Sequence, residues 1–255
     1  MAKIRASWSE KTYEKWIKEG RGQGTGKDYT PWLKIQDVPS EGIVSRIRGQ
    51  KTQRIHHVFS GLEANYLILL DNNDDVLDIR EQFPLPLSET VYLSAEMNIR
   101  HPRVPGCLFP FVMTVDFFIT MKDGRYVARS IKPSAKLDEQ RICDKLMLER
   151  EFCVRKGIDW KIVTEKEINE AKADNLRWLN YDGSEWSDSQ IQVYEQSLLQ
   201  LYPNKDIPFR TILEILEEGY SLPAGSGIAV FKHAVRTGKI AVDLERKINL
   251  LDPRL

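Results

Sequence analysis

The run Phe111-Val112-Met113-Thr114-Val115-Asp116-Phe117-Phe118-Ile119 constrains this chain more than any other segment. Its β-branched and aromatic residues favour a strand, and apolar side chains on both faces make that strand a buried one. Asp116 interrupts it. A carboxylate in an apolar interior is costly unless it is paired, hydrogen-bonded or bound to a cation. Lys122-Asp123-Gly124 then reads as a turn, and residues 125–132 as the returning strand, which Pro133 ends. Side chains alternate faces along a strand. A two-residue loop of Asp123-Gly124 pairs Asp116 with Ile131 and turns Lys132 to the other face. A three-residue loop with Gly124 left-handed pairs Asp116 with Ser130 and brings Lys132 to the face of Asp116. The odd-length loop, or a bulge of the same effect, is expected.

The remaining patterns build a mixed domain around this hairpin. Residues 7–19 have helical periodicity, with Trp8, Tyr13, Trp16 and Ile17 near one side. The run Gly20-Arg21-Gly22-Gln23-Gly24-Thr25-Gly26-Lys27 follows it. This is not a Walker A loop, because Arg21 stands where a glycine is needed and Asp28 where Ser or Thr is needed. It reads instead as a flexible arm carrying Arg21 and Lys27. Residues 46–56 look like two short strands about Gly49, Ser60 opens a helix to about Leu70, and Val76–Gln82 is a strand. A charged helix over about 138–156 ends at Gly157 as its C-cap, and Trp160–Thr164 is a further strand. The signal then turns helical, over 167–179, 188–201 and 209–218. Residues 227–237 follow, then strand-like pieces at 239–243 and 247–251. Helices followed by a small hairpin is the order of a winged helix. Residues 1–164 are therefore expected to form a mixed α/β domain, and residues 165–255 a smaller winged-helix-like one.

Composition narrows the class. Apolar residues make up 42% and charged residues 29% of the 255, enough apolar matter to exclude a wholly disordered chain. The apolar run at Tyr66–Leu70 falls far short of the ~20 residues a bilayer span needs, and the first residues lack an apolar signal core. The 3 cysteines, Cys107, Cys143 and Cys153, have neither metal-ligand nor disulfide spacing and read as thiols of a cytoplasmic protein. Lys plus Arg and Asp plus Glu are 37 each, but unevenly spread. Residues 1–60 hold 12 basic against 6 acidic side chains, and residues 61–99 hold 1 against 8. Such a division suits a protein that grips phosphates in one place and collects cations in another.

Glu63, Asp116 and Lys132 could together do chemistry. A helix-borne glutamate with an aspartate and a lysine on one hairpin suits metal-dependent phosphodiester hydrolysis. The carboxylates hold Mg²⁺, and the lysine orients or deprotonates water and offsets charge on the phosphate. Each residue also has a structural alternative. Ser60-Gly61-Leu62-Glu63 matches a capping box, Asp116 could pair with an arginine, and Lys132 could simply end a strand. Glu149, on the charged helix, reads as a surface or salt-bridge residue within reach of the site's outer side. His56 and His57, with Arg21 and Lys27, are candidates for phosphate contact, although a structural histidine is an equal reading. In the C-terminal part Lys232, His233, Arg236 and Lys239 form a basic edge, with Lys232 and Arg236 the candidate DNA contacts. That edge suits partner docking or non-specific contact more than sequence reading.

The segments Gly20–Trp32, His56-His57, Asp78-Ile79-Arg80-Glu81-Gln82-Phe83-Pro84-Leu85, Lys132-Pro133, Leu148-Glu149-Arg150 and Glu165–Asn169 resemble the TnsA family, the endonuclease subunits of heteromeric bacterial transposases. The likeness covers nearly all of the first 179 residues and is weaker beyond. It implies a restriction-endonuclease-like domain followed by a winged-helix-like one. It also implies Mg²⁺-dependent cutting, with Mn²⁺ as a substitute, of the five-prime strands of double-stranded DNA at transposon ends. A TnsB-like transposase would cut and join the three-prime strands, and a TnsC-like ATPase would dock on the complex. The family's metal-binding glutamate falls on Glu63, its aspartate on Asp116 and its lysine on Lys132. Two residues before the lysine, where the wider superfamily has Asp or Glu and TnsA-like proteins have Gln, this chain has Ser130. Metal contact there would pass from Ser130 through water, or through the Ile131 carbonyl. Two other readings stay open: a nuclease of this fold in repair or restriction, and a non-catalytic adaptor with a vestigial nuclease domain.

Overall fold

The apolar run around Asp116 becomes an inner strand of a four-stranded sheet in the computed structural model, which describes residues 8–37, 42–180, 187–203 and 206–252. In chain order the first elements are α1 (Glu10–Lys18), β1 (Ser45–Arg48), β2 (Ile55–Val58), α2 (Gly61–Asp71), β3 (Val76–Pro84) and α3 (Leu87–Glu96). They continue as β4 (Thr114–Met121), β5 (Tyr126–Ile131), α4 (Gln140–Arg155) and β6 (Asp159–Val163). The main sheet has the order β3-β4-β5-β6. β3–β4 and β4–β5 are antiparallel, whereas β5–β6 is parallel. A parallel neighbour requires a long crossover, and α4 is that crossover. β1 and β2 form a separate antiparallel ribbon.

Alternation along β4 divides the core. Phe117 and Ile119 pack with Leu67 and Leu70 of α2, Ile79 of β3 and Val127 and Ile131 of β5. Phe118 points to the other face, where Leu93 of α3 and Leu148 and Phe152 of α4 cover Val115 and Ala128. α2 starts where the capping signal places it, with the Ser60 hydroxyl accepting from the Glu63 amide at 3.1 Å. α4 ends at Gly157, whose φ of +68° is the left-handed conformation that closes a helix. α3 is an element that the sequence patterns above do not suggest. Pro84-Leu85-Pro86 signals the end of a strand, but Pro86 also serves as the N-cap of α3, and proline is favoured at helix starts as well.

Residues 1–168 form one compact unit and residues 169–255 the other, compared with the division at 164/165 drawn from the sequence. In the second unit α5 (Glu170–Asn180), α6 (Asp188–Leu201), α7 (Phe209–Gly219) and α8 (Ser226–Arg236) enclose Leu198, Phe209, Leu213, Val230 and Phe231. The wing hairpin expected over 239–251 is not formed: no described residue there is in a strand. The backbone of this segment bonds to helices instead of to itself. Asn175 of α5 donates to the carbonyls of Leu244 and Arg246 and accepts from the Ile248 amide, while the Arg210 amide of α7 donates to the Leu250 carbonyl. No described helix is long and apolar enough to cross a membrane.

Part of the charge division is internal. Glu81 of β3 accepts from Arg54 Nη1 at 2.8 Å, from Arg54 Nη2 at 2.5 Å and from the His57 amide at 3.0 Å, with His56 Nδ1 at 2.7 Å. Asp71 accepts the amides of Gln50 and Lys51 at 2.7 and 3.0 Å, and Asp78 that of Gly26 at 3.1 Å. Acids of the 61–99 segment therefore bind the preceding basic segment itself.

Burial works to raise the Glu81 pKa, but His56 and Arg54 outweigh it and bring the carboxyl down from 4.5 to about 2. A depressed carboxylate stabilises the fold above its unfolded pKa and ceases to as pH falls through the folded one. At about 1.4 kcal/mol per pKa unit, the expected loss is about 3 kcal/mol between pH 4.5 and 2. Urea denaturation across this range should show the loss, and Glu81→Gln should flatten the acid limb.

Candidate active site

The β4–β5 turn has the odd length that brings Asp116 and Lys132 together. The Met121 amide donates to the Arg125 carbonyl at 2.9 Å and Gly124 has φ +86°. The loop is thus Lys122-Asp123-Gly124, and the ladder runs Thr120↔Tyr126 through Phe117↔Arg129. One further step sets Asp116 opposite Ser130. The strands separate at that step. On the β3 side, pairing stops at Glu81↔Phe117 and resumes at Phe83↔Val115, and the intervening Gln82 has φ +47°. A left-handed non-glycine residue here marks a local bend in β3.

Asp116 fills the gap that the separation leaves. Its Oδ2 accepts from the Ile131 amide at 2.6 Å and from Lys132 Nζ at 2.6 Å. Lys132 Nζ also donates to the Ile131 carbonyl at 2.7 Å. Glu63 comes from the first turn of α2, where its carboxylate accepts from the Phe59 amide at 2.9 Å and the Ser60 hydroxyl at 3.0 Å. It is both a capping residue and a member of the site, and the two readings are compatible. Burial, followed by the negative charge of Asp116, lifts its pKa to about 7. Burial alone would lower the Lys132 pKa, but Asp116, Glu149 and Glu63 outweigh it and the pKa is raised. The lysine is therefore a cation at neutral pH.

Two carboxylates, with the negative charge of Asp116 opposing ionisation of Glu63 and a backbone carbonyl beside them, make a set of hard oxygen donors of the kind that Mg²⁺ or Mn²⁺ accepts. Among the described residues no group of three or more His, Cys, Asp or Glu side chains is placed to hold a metal. A cation here would take Glu63, Asp116 and the Ile131 carbonyl. Ser130 does not join that set. Its hydroxyl donates to Glu149 Oε2 at 2.5 Å and accepts from Trp160 Nε1 at 3.2 Å. Glu149 is buried, not on the surface, with Lys145 Nζ 3.4 Å from its other oxygen. Burial raises its pKa, and Lys145 and Lys132 moderate the rise.

The candidate phosphate contacts fare differently. Arg21 is buried, stacked 4.0 Å from the Trp16 ring centroid, and donates to the Trp32 carbonyl and to Asp37. Its loop is a packed buckle, not an open arm: a Cβ on Gly22 would lie 2.2 Å from Pro84 Cγ. Lys27 stays exposed. His56 is fully buried between Glu81 and Thr52, so it is structural. His57 is half-buried, and its Nδ1 accepts the Ile35 amide at 3.3 Å. In the second unit Lys232 is buried with its ammonium 4.5 Å from the Trp178 ring centroid. His233 and Lys239 both hold the buried Glu195, and Arg236 is exposed and donates to the Leu179 carbonyl. Lys232 and His233 of the basic edge drawn from sequence are thus turned inward, while Arg236 and Lys239 are exposed.

Ser130→Ala removes the closest donor to a buried carboxylate. It should cost about 1–3 kcal/mol, read as a lower urea midpoint with an unchanged slope.

Known proteins with similar sequences accord with this geometry. The family model described as TnsA-like endonuclease N terminal matches residues 73–165, and that described as TnsA endonuclease C terminal matches residues 167–244. The transposon Tn7 transposition protein TnsA of Escherichia coli is 37% identical over 247 residues, which is 96% of this chain and 90% of that protein.

Proposed function

Because the chain belongs to the TnsA endonuclease family, we propose that it is the subunit of a transposition complex that cuts the five-prime strands of double-stranded DNA at transposon ends. The observation that carries this reading is the meeting of Asp116 and Lys132 at 2.6 Å where the strands part, in the field of a buried Glu63. A TnsB-like transposase would process the three-prime strands and a TnsC-like ATPase would regulate the assembly.

Glu63, Asp116 and the Ile131 carbonyl would hold Mg²⁺, with Mn²⁺ as a substitute, and the ion would supply Lewis-acid activation of the scissile phosphate and the attacking water. The protein's own groups then have separate tasks. Asp116 positions the Lys132 ammonium, and the Ile131 amide holds the Asp116 carboxylate in one rotamer. Lys132, a cation because its acidic neighbours outweigh its burial, acts by charge and hydrogen bonding. It orients water and offsets negative charge growing on the phosphate, and does not serve as the base. Ser60 and the Phe59 amide fix Glu63 from behind. Glu149 and Ser130 brace β5 against α4 just beneath Lys132.

Asp116→Ala, Asp116→Asn and Lys132→Ala should each lower five-prime strand cutting by about 10²–10³-fold or more while the circular dichroism spectrum stays that of the parent. The assay is nicking of labelled transposon-end DNA with Mg²⁺ and the partner proteins, each strand followed separately. Three-prime cutting should persist. Parental five-prime cutting by Asp116→Asn would sink the assignment.

A further inference from the structure

The β1–β2 ribbon has two unlike faces. Register sets Ile47 opposite His56 and Ser45 opposite Val58, and this side turns inward, where Val58 joins the core with Ile47 against it. The other side pairs Arg46 with His57 and Arg48 with Ile55. Arg46, Arg48 and Ile55 are all exposed. Lys34 and Arg46 both bear electrostatically on His57, so a third cation stands nearby. Arg21, Arg54, Arg80 and Arg129 each hold a carboxylate. Among the described residues Arg46 and Arg48 hold none.

The ribbon is also braced. Asp71 accepts the amides of its turn at Gln50 and Lys51. Arg54 ties its far strand to Glu81 and to the Ile79 carbonyl. β2 leads directly through Phe59, whose amide holds Glu63, so the Arg46–His57 end of the ribbon adjoins the catalytic glutamate in the chain. Two exposed guanidiniums on a fixed strand, two residues and about 7 Å apart, match the axial rise of two nucleotides at about 3.4 Å each. Guanidinium is also the side-chain group best shaped for bidentate phosphate contact.

We propose that the outer face of the β1–β2 ribbon binds the phosphate backbone of duplex DNA through Arg46 and Arg48, and so seats the duplex beside Glu63 without reading its sequence. This rests on the chain acting on DNA. The occupant is a nucleic acid and not an acidic protein because the face sets two guanidiniums that hold no carboxylate on one braced strand, while the exposed apolar side chains beside them, Ile43, Val44 and Ile55, are aliphatic and include none of the aromatic anchors of a protein interface.

The test is fluorescence anisotropy of a short labelled duplex with the full-length chain in buffer free of divalent cations, over ~50 to ~200 mM salt. Against the parent, R46A/R48A should bind about tenfold or more weakly at low salt. Its slope of log affinity on log salt should be shallower by about 2, roughly one unit per lost phosphate contact. R46K/R48K should keep the parental slope, which separates charge from any structural effect. R125A, which removes an exposed arginine elsewhere, should change neither quantity. R46A/R48A binding with parental affinity and slope would overturn the ribbon assignment and leave the nuclease reading standing. Unchanged DNA binding with lost assembly of the transposition complex would assign the face to a protein instead. A parent whose duplex binding showed no salt dependence would remove the DNA premise itself.

Discussion

The bond from which the site is built is the one between the Asp116 carboxylate and the end of β5. A charged group cannot remain in an apolar strand without compensation. The fold compensates by parting the strands at Asp116 and offering the Ile131 amide and the Lys132 ammonium to one oxygen. Lys132 is in turn held where burial would otherwise favour its neutral form. Glu63 comes close enough for its own ionisation to be opposed by Asp116. The Glu63 carboxylate is thus buried against a second negative charge, which a bound cation would offset.

The same opposition of charges has a different purpose twenty to fifty residues earlier in the chain. Asp71, Asp78 and Glu81 do not collect cations for catalysis. They bind the glycine-rich loop, the ribbon turn and Arg54, so these acids clamp the preceding segment, chiefly through its backbone amides. Arg46 and Arg48 are among the basic side chains of that stretch that hold no carboxylate among the described residues. Both face solvent, and Arg46 lies opposite His57, two residues before the amide that holds Glu63. The distinction between structural and available cations is therefore one of strand parity, since Arg46 and Arg48 point away from the acids that Arg54 and the His57 amide meet.

Ser130 shows how a departure from a family pattern is absorbed. The serine hydroxyl at this position bonds sideways to Glu149 and Trp160. Glu149 thereby becomes a buried brace and not a surface residue. Its helical neighbours Leu148 and Phe152 are core residues, and that periodicity is the sequence signal by which its burial could have been recognised.

Whatever depends on short-range geometry could be read from the residues alone. The Lys122-Asp123-Gly124 loop, the Ser60 cap, the Gly157 stop and the union of Asp116 with Lys132 follow from alternation and turn chemistry, because only a few residues separate cause from effect. The recognisable motifs likewise placed the family. Tertiary structure decided where competing partners settled the matter. Arg21 and Lys232 have the look of phosphate ligands until Trp16, Asp37 and Trp178 occupy them. Residues 239–251 have strand-like composition, but Asn175 and Arg210, distant in the chain, take their backbone groups before a hairpin can. A side chain's chemistry is written locally, while its availability depends on what the rest of the fold brings within bonding distance.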